Sequence, residues 1–270
     1  MTVSISHLTA LYSPLDLKYA QEMSGPYEDL SFHSDECQII ASLKDNHITG
    51  FWRPMVAVGD DGLLKLQIER LYGICRNITY MDFLTDGLSV ISKFLLEQGY
   101  TARPYYTQVI DLTKSREQLH SEIRKSYKSL VNKDVIMSTM SDIGPYRKLH
   151  ENVRGTRSSE SWFIQQRMIW GREAFCLLQS EVINPAVAHS LTGGLFYYNK
   201  NCYYASGCSL EGVGSHAVIW NAILHAKELG CKTFEMGEQV FSGQKMMGIS
   251  KFKAGFGGRT ITRLILERKK

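Results

Sequence analysis

Two rhythms of apolar and polar positions run along this chain, and both are most regular between residues 195 and 258. Leu195-Phe196-Tyr197-Tyr198 and Cys202-Tyr203-Tyr204-Ala205-Ser206 read as strands joined by the polar turn Asn199-Lys200-Asn201. A loop of small residues follows over 207–214, and the period then changes. Ile219, Ala222, Ile223, Ala226 and Leu229 recur at helical spacing, with Ser215 placed to cap the helix and Gly230 to stop it. Thr233-Phe234-Glu235-Met236 is a further strand, ending in the acidic loop Gly237-Glu238. Two readings of this stretch are open. Orphan N–H groups at a helix start, beside glycines that admit a ligand to the backbone, form a seat for phosphate or carboxylate. Gly212 and Gly214 can equally do no more than turn the chain.

The pattern upstream is weaker. Residues 1–50 show little period, though Tyr12, Tyr19, Tyr27 and Phe32 mark a folded segment. Apolar runs at 54–58 and 63–68 flank Gly59-Asp60-Asp61-Gly62 and predict a hairpin. Leu88, Ile91, Phe94 and Leu95 share a helical face closed by Gly99. A strand over 106–112 leads into a helix from 113 to 132 that carries Arg116, Arg124, Lys125, Lys128 and Lys133. That basic face is either solvated or a phosphate-contacting edge. A strand at 134–140, a short helix at 145–152, a loop at 153–159 and a helix at 160–170 come next. Trp162, Phe163, Gln166, Ile169 and Trp170 form the apolar face of the last, with Gln165 on another side. Strands at 174–181 and 187–198 surround a turn at 183–185, and a final strand spans 260–266.

Composition narrows the class. With 44% hydrophobic and 21% charged residues, the 270-residue chain is that of an ordinary soluble protein. It has no apolar run of the about 18 residues that a membrane span needs, and Met1-Thr2-Val3-Ser4-Ile5-Ser6-His7 lacks a signal-peptide pattern. The six cysteines are scattered without a CxxC pair, which predicts buried, reduced thiols, a cytoplasmic location and no zinc or other metal site. A net charge of +4 suits an anionic ligand and falls short of a nucleic-acid-binding footprint.

Four stretches carry a family likeness: Val109-Ile110-Asp111-Leu112 with Ile123-Arg124-Lys125-Ser126; Arg157 with Ser161-Trp162-Phe163-Ile164-Gln165; Tyr203-Tyr204-Ala205-Ser206-Gly207 with Trp220-Asn221-Ala222-Ile223; and Phe234-Glu235-Met236-Gly237-Glu238 with Gly248-Ile249 and Phe252-Lys253-Ala254-Gly255-Phe256-Gly257. In these the chain resembles the Fem-like branch of the GNAT acyltransferases, which includes enzymes that build peptidoglycan peptide bridges and relatives found with surface-polysaccharide pathways. The resemblance implies an α/β (α+β) fold with a mixed, mainly antiparallel sheet flanked by helices. It also implies two GNAT-like halves, a reduced one over 1–105 and an acyltransferase half over 106–270.

Chemistry is assigned on that basis. Lys253, of the Phe-Lys pair, would lie beside the carbonyl under attack and stabilise its oxyanion, a donor worth about 3–4 kcal/mol of barrier. Amide formation needs a neutral amine, so Glu238 and Glu235 are candidates to hold the acceptor's ammonium and take its proton. His216, in the first turn of a helix, is expected neutral, as a base or an anion contact. Gly207, Gly212, Gly214, Ser215 and Phe252 would hold the donor; Arg157, Trp162, Gln165 and Lys125 would line the acceptor site, Arg157 pairing with phosphate bidentately. The donor is expected to be an acyl-CoA such as acetyl-CoA, with aminoacyl-tRNA as the alternative. The acceptor would be a nucleotide-linked amino sugar or a peptidoglycan precursor of cell-envelope synthesis. A non-catalytic binding module that kept the cleft is a third reading.

Overall fold

The computed structural model describes residues 10, 12, 27–51, 53–132, 136–184, 187–210 and 214–268. The chain forms two compact units, one from Tyr12–Thr107 and Ile261–Lys270, the other from Gln108–Thr260.

The first unit holds β1 (Glu28–Asp29), β2 (Phe32–His33), β3 (Cys37–Ile40), β4 (Ser42–Lys44), β5 (His47–Thr49), β6 (Val56–Gly59), α1 (Asp61–Ile74), β7 (Tyr80–Asp82), α2 (Val90–Glu97) and most of β8 (Thr101–Asp111). β1-β4-β5 and β2-β3-β6 are small antiparallel sheets. The two helices cover a core that includes Ile39, Ile68, Leu71, Ile91 and Leu95. The hairpin expected at 54–68 is instead a strand followed by a helix. Asp60 is an N-cap whose carboxylate accepts from the backbone of Gly62 and Leu63 at 2.9 and 3.0 Å. Leu64, Ile68 and Leu71 then bury one helical face. The glycines that suggested a turn are a strand end and the first turn of α1.

The second unit continues with α3 (Arg116–Glu122), a 3-10 turn at Lys125–Tyr127, α4 (Lys128–Val131), β9 (Ile136–Met140), α5 (Gly144–Arg154), α6 (Ser159–Trp170), β10 (Ala174–Asn184), β11 (Val187–Tyr198), β12 (Cys202–Ser209), α7 (Ser215–Glu228), β13 (Thr233–Glu238), α8 (Gln244–Ala254) and the start of β14 (Arg259–Glu267). Its sheet runs β8-β13-β12-β11-β10-β9, antiparallel from β9 to β12 and parallel between β12 and β13. In the first unit β14 lies between β7 and β8. The fold is thus the expected mixed, mainly antiparallel sheet with flanking helices. α7 supplies the centre of the second core, burying Val218, Ile219, Ala222, Ile223 and Ala226 against Phe196 and Phe234.

Two helical expectations change. The single helix expected over 113–132 is broken. Ser115 and Gln118 form a capping box, but at Ile123 the backbone turns extended, and the N–H of Arg124 donates to the carbonyl of Gly255 at 2.8 Å. In α6, Trp162, Gln165, Gln166 and Ile169 are buried, whereas Phe163 and Trp170 face outward. Gln166 turns inward because it bonds Ile143 N and Ser141 O at 2.7 and 3.3 Å. All six cysteines are buried and free. No helix among the described residues is long and apolar enough to cross a membrane.

Replacing the α1 cap, Asp60→Ala, is expected to lower unfolding free energy by about 1 kcal/mol. Urea denaturation monitored by circular dichroism measures it. Unchanged stability would contradict the cap's role.

Candidate active site

The site grows out of a discontinuity in the second unit's sheet. β12 and β13 run parallel, but their register holds two pairs, Cys202 with Phe234 and Tyr203 with Glu235, before the strands part. On its other edge β12 carries a bulge: Leu195 faces Ser206 and Phe196 faces Tyr204, which leaves Ala205 unmatched. Tyr204 before the bulge and Gly207, Cys208 and Ser209 beyond it, with Thr192 and Gly193 of β11, form one wall of a cavity of about 220 Å³. Ser215, Val218 and Ile219 from α7 form a second wall, Ile249, Phe252 and Lys253 from α8 a third, and Arg154 stands at the end of α5.

α8 is set in place by packing on one side and by the segment that follows β13 on the other. Tyr127, His216, Phe252 and Phe256 form an aromatic cluster; the Tyr127 ring lies 4.3 Å from His216, 5.5 Å from Phe256 and 6.1 Å from Phe252. Gly255 presses against the Tyr127 ring, where a Cβ would collide. On the other side Ser250 is buried, its hydroxyl accepting from Val240 N at 2.8 Å. Between these two anchors Lys253 is half-buried, with Nζ donating to the backbone carbonyl of Glu238 at 3.1 Å. Burial pulls its ammonium below the ordinary lysine value, and the charges of Glu238 and Glu235 work against that shift. A cation partly stripped of water beside two carboxylates can meet negative charge developing on a bound carbonyl.

Several site residues differ from expectation in their local setting. Glu238 is the exposed last residue of β13 rather than part of a loop, while Glu235 is buried in the same strand. Gly207 lies within β12, where the Tyr204 hydroxyl fills the space a Cβ would need. Ser215 is the first helical residue and not the cap. Gly214 takes that position with φ +74°, and no side chain caps the helix. The α7 start, without a side-chain cap from Gly214, lies next to the cavity. The buried Gln179 amide packs on Gly214, and its Oε1 finds no partner among the described residues. Gly212 lies outside the described residues.

The acceptor candidates fall into two groups. Arg157 donates from Nη2 to Ser206 Oγ at 2.9 Å, Tyr146 donates to the same oxygen at 2.8 Å, and the guanidinium lies 5.3 Å from the Trp162 ring centroid. Trp162 and Gln165 are buried, and neither Trp162 Nε1 nor Gln165 Oε1 has a partner among the described residues. Lys125 is exposed in its 3-10 turn and does not line the cavity. His216 packs in the aromatic cluster behind Phe252. Arg154 and Tyr204 were missed as site residues. No spacing signals an arginine that ends a short helix, and Tyr204 reads as an ordinary strand residue. Burial pushes the Tyr204 hydroxyl up to about 12 and the Cys208 thiol up to about 11, so neither is a ready nucleophile near neutral pH.

The chain has the fold of FemX, in keeping with the Fem-like resemblance of its motifs. The crystal structure of FemX matches with a TM-score of 0.72 at 12% identity, covering 98% of this chain and 96% of that one. The C-terminal domain (DUF2156) of a putative lysylphosphatidylglycerol synthetase from Agrobacterium fabrum matches at 0.59 and 13%, covering 97% and 90%. The L-PGS from Bacillus licheniformis matches at 0.59 and 11%, covering 96% and 92%. At such identities the likeness is one of fold. No protein-family model matches the chain, and no curated protein matches it closely.

Removing the buried charge has a signed consequence. A lysine whose folded pKa is lowered binds fewer protons folded than unfolded, so stability rises with pH from that lowered value up to the unfolded value of about 10.4. Lys253→Met is therefore expected to raise stability near neutral pH and to flatten this alkaline rise. Denaturant titrations across the alkaline range test it; a variant less stable than wild type near neutrality would contradict the desolvation.

Proposed function

We propose that this chain is an N-acyltransferase that moves an acyl group from an acyl-CoA to the amine of an amino-sugar or nucleotide-linked acceptor. The pathway would be cytoplasmic synthesis of cell envelope or surface polysaccharide. The observation that carries the reading is the position of Lys253, half-buried in the wall of a cavity lined by β12, α7 and α8. In the proposed step the acceptor nitrogen attacks the thioester carbonyl, and Lys253 donates a hydrogen bond to the oxyanion. As the C–N bond forms and the C–S bond breaks, Glu238 takes the amine proton and the thiolate leaves. Glu238 suits this part because it is solvent-accessible and adjacent to Lys253. Glu235, buried in β13, supports the cation. The α7 start, which has no side-chain cap from Gly214, supports a donor phosphate beside Gly214 and Ser215, and Phe252 lines the donor side. Arg157, partly exposed and backed by the buried Trp162 ring, would receive the acceptor, and buried Gln165 is left out of that site. Residues 1–105 are proposed as the reduced first GNAT-like half and 106–270 as the catalytic one.

A second donor, an aminoacyl-tRNA, is favoured by the fold matches. FemX gives the highest of the three TM-scores, and two other neighbours are described as lysylphosphatidylglycerol synthetases, or L-PGS. Lys125, exposed, and Lys128, partly exposed, would then be phosphate contacts.

The test is a panel of acetyl-CoA, longer acyl-CoAs and charged tRNAs, read by mass shift of candidate amino sugars. An acylated product is expected, with Lys253→Ala reducing kcat about 10²–10³-fold. Activity with tRNA alone, lost steeply with salt, would select the second donor. Full turnover by Lys253→Ala would overturn the mechanism. Silence with every donor, with ligand binding intact, would make the protein a binding module.

A further inference from the structure

The charges lining the cavity are one-sided. Arg154 and Lys253 are its two charged lining residues, and no carboxylate is among the described residues of its wall. Lys253 is engaged with the Glu238 carbonyl. The Arg154 side chain has no hydrogen bond or ion pair among the described residues and is exposed at the end of α5. Its guanidinium is close enough to Tyr204 and Cys208 to favour their ionised forms against the effect of burial. An arginine in the last turn of a helix gains a little from the helix dipole, and such a surface role is the plain alternative. Here, however, the same side chain borders a concavity that also holds an ammonium and the start of a 14-residue helix without a side-chain cap from Gly214. A cavity of about 220 Å³ is below the roughly 300–1,000 Å³ of pockets that enclose a whole drug-sized ligand, so it seats one group rather than an entire nucleotide.

We infer that Arg154 is a specificity-determining residue that pairs with an anionic group, a carboxylate or a phosphate, of the molecule seated in this cavity. Guanidinium suits this role because its fork pairs with two oxygens at once, which an ammonium cannot do. Assigning that molecule to the donor rests on the transferase reading; the anion seat itself does not. A carboxylate would belong to a dicarboxylic or acidic acyl group, and a phosphate to the carrier.

The experiment uses the full chain and three probes in isothermal titration calorimetry: succinate, inorganic pyrophosphate, and neutral succinamide as the isosteric control. At least one anion is expected to bind saturably and more tightly than succinamide. Arg154→Gln should weaken it about tenfold or more, about 1.4 kcal/mol, and Arg154→Lys should restore only part. Arg154 is exposed, so unchanged far-ultraviolet circular dichroism of both variants is the check on folding. Tighter succinate assigns the seat to an acyl carboxylate, and tighter pyrophosphate to a carrier phosphate. Anions that bind no better than succinamide, or bind Arg154→Gln as well as wild type, overturn the inference. If transfer is seen while Arg154→Gln keeps its anion affinity and KM, this inference fails alone. If anions bind through Arg154 and no donor is turned over, the transferase reading fails and the anion seat stands.

Discussion

The structure depends on two parallel strands that pair briefly and then separate. A parallel ladder that continued past Tyr203 and Glu235 would pair the backbone of both strands further along. Tyr204, Gly207, Cys208 and Ser209 of β12, with Thr192 and Gly193 of β11, face the cavity, and α7 and α8 supply the other walls. The bulge at Ala205 bends β12 and re-aims the residues beyond it. Chemistry can then be placed on rigid elements. Tyr204 and Gly207 come from a strand, Ser215 from a helix start and Lys253 from the last turn of α8.

Holding Lys253 half out of water needs fixed surroundings, since a free lysine would reach for solvent. The aromatic cluster supplies them on one side of α8. Tyr127 lies against Gly255, and the Arg124 backbone N–H ties the preceding segment to the Gly255 carbonyl. Arg124 reinforces the join with a bond from Nη2 to Lys251 O at 3.1 Å. His216 contributes its ring to this wall, which accounts for an aromatic side chain at the start of α7. The break in the expected long helix therefore positions α8.

Periodicity located the strands and helices of the second unit well because its elements are long. The 3.6-residue spacing of Ile219, Ala222, Ile223 and Ala226 and the turn at 199–201 left little room for another reading. It failed where short-range and tertiary effects compete. At Asp60 the glycine-flanked pair Asp60-Asp61 reads as a turn, yet one aspartate side chain bonding two amides starts a helix. At Ile123 nothing local announces a break, because the partner that stabilises it, Gly255, is far along the chain. Motif likeness singled out Lys253, Phe252, Ser215 and Gly207, which line one cavity, and Glu238, whose backbone carbonyl accepts from Lys253. Arg154 was illegible because its position depends on where α5 ends against the sheet.

The central claim is that the Lys253 ammonium is partly desolvated within the cavity wall. Reductive methylation of the lysines with carbon-13 label, with the Lys253 signal assigned from Lys253→Arg, lets each amine be titrated by NMR. The account predicts a Lys253 resonance that titrates below the exposed lysines and shifts when Glu238 is changed to Gln. A Lys253 amine that titrates with the exposed lysines and is indifferent to Glu238 would contradict it.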